Sequence, residues 1–311
     1  MQTILGAGGV IGRGLARELR QYTQSIRLVS RHPKPVHGDE ACIAADLTDA
    51  AQVAQALQGT DVAYLVAGLP YDTRVWQQQW PAIMENVIAG CRRHGCRLVF
   101  FDNVYAYGLA DGPMTEQTPF HPCSRKGEVR AAIAERLMDA MARGDIGALI
   151  ARSADFYGPG AANTFVQPMV FDKLQRGKKA SWLGDDELPH AMTFTPDAAR
   201  ATALLGNSDH AFGEVWHLPT AGTPPTGRQF VALVANEFGA RPDVQLLKPW
   251  MLRLVAPFNP LVRESMEMLY QMTHPYIFDS GKFNARFFQP TAYPEGVRQT
   301  AAFMRNGSQP R

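Results

Sequence analysis

The sequence opens on a short apolar run, Thr3 to Leu5, that breaks at once into a glycine turn. Gly6, Gly9 and Gly12 stand at three-residue spacing. Val10, Ile11, Leu15 and Leu19 then recur with helical period. The order is strand, tight turn, helix. A chain that starts this way can bury its first strand only by laying parallel neighbours beside it and packing helices over the faces.

The following two hundred residues keep that rhythm. Strands are expected at Ile26 to Ser30, Cys42 to Ala45, Val62 to Ala67, Arg97 to Phe101 and Ala148 to Arg152. Helices are expected at Asp49 to Gln58, with Thr48 as the cap, at about Val75 to His94, and from Ser124 to Arg143. The fold class is therefore α/β, a Rossmann-type doubly wound parallel sheet with right-handed crossovers. From Phe156 the rhythm stops and large apolar residues dominate. The expected division is a dinucleotide-binding domain over 1–155 and a smaller substrate lobe over 156–311, with 193–218 returning to the sheet. The stretch PWMLRLVAPFNPLVRESMEMLY has some features of a membrane-surface helix. Pro257 and Pro260 interrupt it and its charges are few, so a folded lid or core helix is expected. The tail NGSQPR is expected to fray.

The glycine turn has a chemical reading. Bare backbone N–H groups at a helix N-terminus cradle a pyrophosphate, and side chains at those positions would obstruct it. A dinucleotide cofactor is the implied ligand. Where the second strand ends, an acidic residue would bind a ribose 2′-hydroxyl, but the sequence reads Ser30-Arg31-His32. A guanidinium matches a 2′-phosphate in charge and geometry, so NADP is expected over NAD.

Composition excludes other classes. Of 311 residues, 31 are Lys or Arg and 29 Asp or Glu, a net charge of +2 that suggests no nucleic-acid partner. Four cysteines form no CxxC pair, so no metal is expected and the thiols suit a reduced, cytoplasmic protein. No apolar run is long enough to span a bilayer, and no signal sequence is expected. The expected partner is a small-molecule substrate, with no nucleic acid and no membrane, for a monomer or homodimer.

Several stretches together resemble the extended short-chain dehydrogenase/reductase superfamily, also called the NAD-dependent epimerase/dehydratase family. They are GAGGVIG, AADLTD around Asp46, NVYAYG, RSADFYGPG at 152–160, FTPDAARA at 194–201 and DSGKF at 279–283. The resemblance implies cofactor contacts from Gly6, Gly9, Val10, Ile11, Gly12, Ser30, Arg31, Asp46, Leu47, Ala67, Gly68, Lys126 and Phe156. It also implies a catalytic serine or threonine and a tyrosine four residues before a lysine. Here those two positions hold Asn103 and Pro122, and only Lys126 remains.

The candidate catalytic residues are Lys126, Tyr105 and Asn103. Lys126 has three donors for the nicotinamide ribose and is a possible acid. The Tyr105 phenol is a second possible acid, and the Asn103 amide can orient a carbonyl. Tyr107 is expected to pack, His121 to be a loop residue without a role, and Asp102 to be a strand-end turn former. No arginine cluster suggests a sugar nucleotide. The resulting expectation is an NADP(H)-dependent reductase of a small or apolar carbonyl or enone. The alternatives are a nucleotide-sugar epimerase or dehydratase, and a non-catalytic NADP sensor.

Overall fold

The computed structural model describes residues 1–307. Of the expected frayed tail, residues 308–311 lie outside the described residues. The chain begins β1 (Gln2–Leu5), α1 (Val10–Leu19), β2 (Ile26–Ser30), β3 (Ala41–Ala44) and α2 (Ala50–Ala56). It continues β4 (Val62–Leu65), α3 (Thr73–His94), β5 (Arg97–Asn103), α4 (Arg125–Ala142) and β6 (Ala148–Ser153). Next come β7 (Asp155–Tyr157), α5 (Asp172–Gln175), β8 (Ala180–Leu183), β9 (Met192–Phe194), α6 (Thr195–Gly206) and β10 (Val215–His217). Helix α7 (Gly227–Phe238), β11 (Val244–Leu247), α8 (Pro249–Val255) and α9 (Pro260–Ser265) follow.

Two compact units result. The first comprises 1–108, 120–153 and 198–218; the second comprises 109–119, 154–197 and 219–311. The segment 109–119 groups with the second unit, and 193–197 does not group with the sheet that 198–218 joins.

The first unit is a seven-stranded sheet in the order β10-β6-β5-β4-β1-β2-β3, every pair parallel. Strands β1, β4 and β6 are buried along their whole length, and β4 is apolar throughout. Ile11, Leu15, Ala16 and Leu19 turn one face of α1 to the interior. Helix α2 starts one residue later than expected and has a different cap. The Asp49 carboxylate accepts from Ala51 and Gln52 N–H, whereas the Thr48 hydroxyl donates to Asp46 at 2.8 Å. Helix α3 is capped by Asp72 and stopped by Gly95 in the left-handed region at φ 65°.

Asp102 is not a turn former. It is buried at the end of β5 between two guanidiniums. Arg152 on β6 donates to Oδ2 from Nε and Nη2, at 3.0 and 2.9 Å. Arg130 on α4 donates to Oδ1 from Nε at 2.8 Å and also from Nη2. Burial pushes the Asp102 carboxyl up, but the two arginines outweigh it and hold it below its ordinary value. The Arg152 guanidinium also lies over the Tyr107 ring at 4.6 Å. Tyr107 is buried, with its hydroxyl 2.7 Å from His217 Nε2, so it packs as expected.

The second unit holds two parallel strand pairs, β7 with β9 and β8 with β11. Its core gathers Tyr157, Phe171, Trp182, Phe194 and Phe230. His190 is buried there, stacked on Tyr276 at 4.5 Å with Nε2 2.9 Å from Asp155. The family-like segments at 197 and 280 are structural ties within this unit. Asp197 accepts from Thr291 N–H, and the Ser280 hydroxyl accepts from Thr220 N–H. Helices α8 and α9 bury no residue at all, so the expected core helix is not found. Among the described residues, no helix is long and apolar enough to cross a membrane.

Asp102→Ala should strand two guanidiniums in the interior and destabilise the protein by about 3–5 kcal/mol, read as a lower urea midpoint. Because the folded carboxyl lies below its ordinary value, its contribution is present above that value and is lost as pH falls through the folded one. Asp102→Ala should therefore also flatten the acid limb of stability against pH.

Candidate active site

The glycine turn divides its labour. A Cβ on Gly6, which has φ +95°, would come within 2.4 Å of Ala67 Cα, and one on Gly12 within 2.8 Å of Ala7 Cα. These two glycines let the chain pack on itself. A Cβ on Gly8 or Gly9 would meet nothing within 4 Å. The space above the middle of the turn is open.

Helix α1 starts at that opening without a side-chain cap on Gly9 and with no acidic residue in its first turn. Helices α2, α3 and α4 take side-chain caps from Asp49, Asp72 and Ser124. The first-turn N–H groups of α1, at the positive end of its dipole, thus face a region that a pyrophosphate fits. Val10 is half-buried behind the turn and Ile11 buried. Ala67 is half-buried and Gly68 exposed at the β4 exit.

At the β2 exit, Ser30 is half-buried and Arg31 exposed. The Asp46 carboxyl is lowered by hydrogen bonds from the Thr48 N–H and hydroxyl, and further by the Arg31 charge. Leu47 is buried in the core of the unit and offers its carbonyl oxygen to Asn86 at 3.0 Å. Phe156 lies on β7 in the second unit.

The three candidate catalytic residues lie at the end of β5 and the start of α4. Ser124 caps α4 by accepting from Gly127 N–H, which places Lys126 in the first turn. Asn103 accepts from the Tyr105 N–H at 3.1 Å, fixing the turn after β5. That turn packs backbone to backbone on the segment before α4. A Cβ on Gly127 would come within 2.6 Å of the Tyr105 carbonyl oxygen, and one on Gly108 closer still to that of His121. His121 is itself exposed.

Lys126 is fully buried. Its Nζ donates to Thr73 Oγ1 at 2.8 Å and lies 4.6 Å from the centroid of the Tyr71 ring. Trp76 joins the group, edge-on to Tyr71 at 5.8 Å and stacked with Tyr105 at 6.1 Å. Two half-buried phenols thus flank one indole beside a buried ammonium. Tyr71, Thr73 and Trp76 escaped the sequence reading. Tyr71 lies just before α3 and Thr73 and Trp76 in its first turn, where no motif spacing marks them. The signal available was Asp72, a helix cap with a tyrosine before it and a threonine after it. Among the described residues, no cluster of His, Cys, Asp and Glu could hold a metal ion.

A sequence profile of the NAD dependent epimerase/dehydratase family matches residues 3–216. A curated relative, 3beta-hydroxysteroid-dehydrogenase/decarboxylase isoform 2 of Arabidopsis thaliana, is 25% identical over 295 residues. That alignment covers 83% of this chain and 51% of the relative, so the chain spans about half the relative's length. Among solved structures, UDP-glucose 4-epimerase of Thermotoga maritima with UDP-glucose superposes with a TM-score of 0.81. It is 17% identical, with 99% of this chain and 100% of that one covered. A dTDP-glucose 4,6-dehydratase of Streptomyces venezuelae with bound NAD gives a TM-score of 0.80 at 18% identity, covering 99% and 97%. At these identities the likeness is one of fold.

Gly9→Val should fold normally yet weaken cofactor binding by more than about tenfold, at least 1.4 kcal/mol, in calorimetric titration with NAD and NADP. Gly6→Val should instead lower the melting temperature, since both its backbone angle and the Ala67 contact forbid a side chain.

Proposed function

The chain belongs to the NAD dependent epimerase/dehydratase family, and from that premise we propose an NADP(H)-dependent oxidoreductase that interconverts a hydroxyl and a carbonyl on a small or apolar substrate. The observation that carries the reading is the buried Lys126 ammonium, held by Thr73 against the Tyr71 ring. Burying a charge costs several kcal/mol before its partners compensate, which makes the position of this ammonium the natural place to test for function. The pairing also groups a cation with two phenols, the equipment for moving a proton.

When bound, the cofactor would supply or accept the hydride. The open turn at Gly8 and Gly9 and the uncapped start of α1 receive its pyrophosphate. Arg31 and Ser30 would meet the 2′-phosphate, and Lys126 would hold the nicotinamide ribose once Thr73 releases its ammonium. Tyr71 gives its proton to the carbonyl oxygen, and the neighbouring ammonium stabilises the phenolate left behind. Asn103 fixes the Tyr105 turn. The sterol named in the Arabidopsis relative supports an apolar hydroxyl as the reacting group, and the lack of clustered arginines agrees.

Turnover of a panel of ketones and secondary alcohols with each cofactor tests the proposal. Conversion of a UDP- or dTDP-sugar, with no activity on the panel, would replace it. Tyr71→Phe should leave NADPH affinity unchanged and lower kcat by about 10²–10⁴-fold. Lys126→Ala should lower affinity and turnover together. A large loss in Tyr105→Phe with none in Tyr71→Phe would move the acid to Tyr105.

Arg31→Asp should reverse the preference between the cofactors, since a charge-assisted hydrogen bond contributes about 1.5–3 kcal/mol. Equal affinity of the unmutated protein for NADPH and NADH would remove Arg31 from the site.

A further inference from the structure

The second unit carries an apolar surface that its own core does not use. Trp250, Leu254, Val255, Phe258 and Leu261 are 58%, 66%, 46%, 89% and 63% exposed. They fall within twelve consecutive residues, on α8, on α9 and on the link between them. Trp250 and Leu254 are four apart and share a face of α8. Phe258, the most exposed of the five, sits on the link. Exposed apolar residues scattered singly are ordinary, but a cluster of this density marks a contact surface.

Charge identifies the occupant. Between Asp243 and Glu264 the chain has no acidic residue and three basic ones, Lys248, Arg253 and Arg263. All three are exposed. A patch of Trp, Leu and Phe rimmed by Lys and Arg is the composition of a segment that lies in a membrane interface. Anionic lipid attracts each such cation by about 1 kcal/mol near the surface. A second copy of the chain fits less well, because a two-fold contact through this patch would bring basic rims together.

We propose that α8 and α9 dock the protein peripherally on an anionic lipid surface. Trp250, Leu254, Phe258 and Leu261 enter the boundary between headgroups and acyl chains. Lys248, Arg253 and Arg263 remain among the headgroups. The two proline-broken helices suit this role, since a segment lying in the interface need not span anything. The proposal is independent of the reaction catalysed in the first unit.

Co-sedimentation of the full chain with vesicles is the test. Binding is expected to phosphatidylcholine vesicles containing phosphatidylglycerol, little to phosphatidylcholine alone, and release is expected in high salt. The double substitution Phe258→Ser with Leu261→Ser should cut binding by more than about tenfold, the size expected from withdrawing two large apolar side chains. An unchanged circular dichroism spectrum and melting temperature would show that this variant folds. Arg253→Glu with Arg263→Glu should remove the preference for phosphatidylglycerol. Absence of binding to either vesicle, or binding indifferent to phosphatidylglycerol and salt, would overturn the proposal. So would a dimer in light scattering that the Phe258/Leu261 variant dissociates, since the patch would then be a contact between copies.

Discussion

Asp102 accepts from Arg152 on the neighbouring strand and from Arg130 on the helix packed over both. One carboxylate therefore fixes a strand pair and the azimuth of α4 together. Arg130 lies four residues after Lys126, on the same buried face of the helix. Rotating α4 enough to free Lys126 would pull Arg130 off Asp102 and leave charges unpaired in the interior. The cost of that, several kcal/mol, is larger than that of a hydrogen bond such as the one from Lys126 to Thr73. The ion triad thus fixes where α4 presents Lys126. Asn103 follows Asp102 directly and holds the Tyr105 turn, so both sides of the site hang from the end of β5.

A second constraint acts on the same edge of the sheet, two strands away, where β1 gives way to α1. Helix starts in this unit are finished by short polar side chains at α2, α3 and α4, and α1 alone among these four lacks one. The glycine that occupies the capping position has open space where its side chain would be. A helix terminus that no side chain finishes leaves its first-turn N–H groups to water or to an anion. Folding alone would accept a polar cap at position 9, so the bare glycine there points to a ligand rather than to packing.

Local signals were legible in the sequence and long-range ones were not. The glycine turn and α1 lie within twenty residues and declare themselves by spacing, and β2 falls at the expected residues. Seven parallel strands follow from alternation. The pairing of Asp102 with Arg130 and Arg152 spans 28 and 50 residues, and no periodicity links them. Tyr71 and Thr73 reach Lys126 across 55 and 53 residues for the same reason. The cap at Asp49 was misassigned to Thr48 because adjacent polar residues compete, and Thr48 is engaged with Asp46. The α8–α9 segment misled in the opposite way. Of the two expectations for it, a folded lid or a core helix, the core helix fails, because apolar content describes what a surface can contact and not whether this chain contacts it.

The proline four residues before Lys126 also has a structural reason. Two residues on a helix face meet at this spacing only when both belong to the helix. Here α4 begins at Arg125, capped by Ser124, so position 122 lies outside it. A tyrosine at 122 would not share the Lys126 face. The backbone from His121 to Gly127 is instead pressed on the Tyr105–Gly108 turn, with glycines at 108 and 127 where the contact is tightest. Proline suits such a segment, because it restricts the approach to the cap and brings no side-chain polarity to satisfy. A phenol beside Lys126 therefore comes from another element, the loop before α3, whose Tyr71 ring lies against the ammonium.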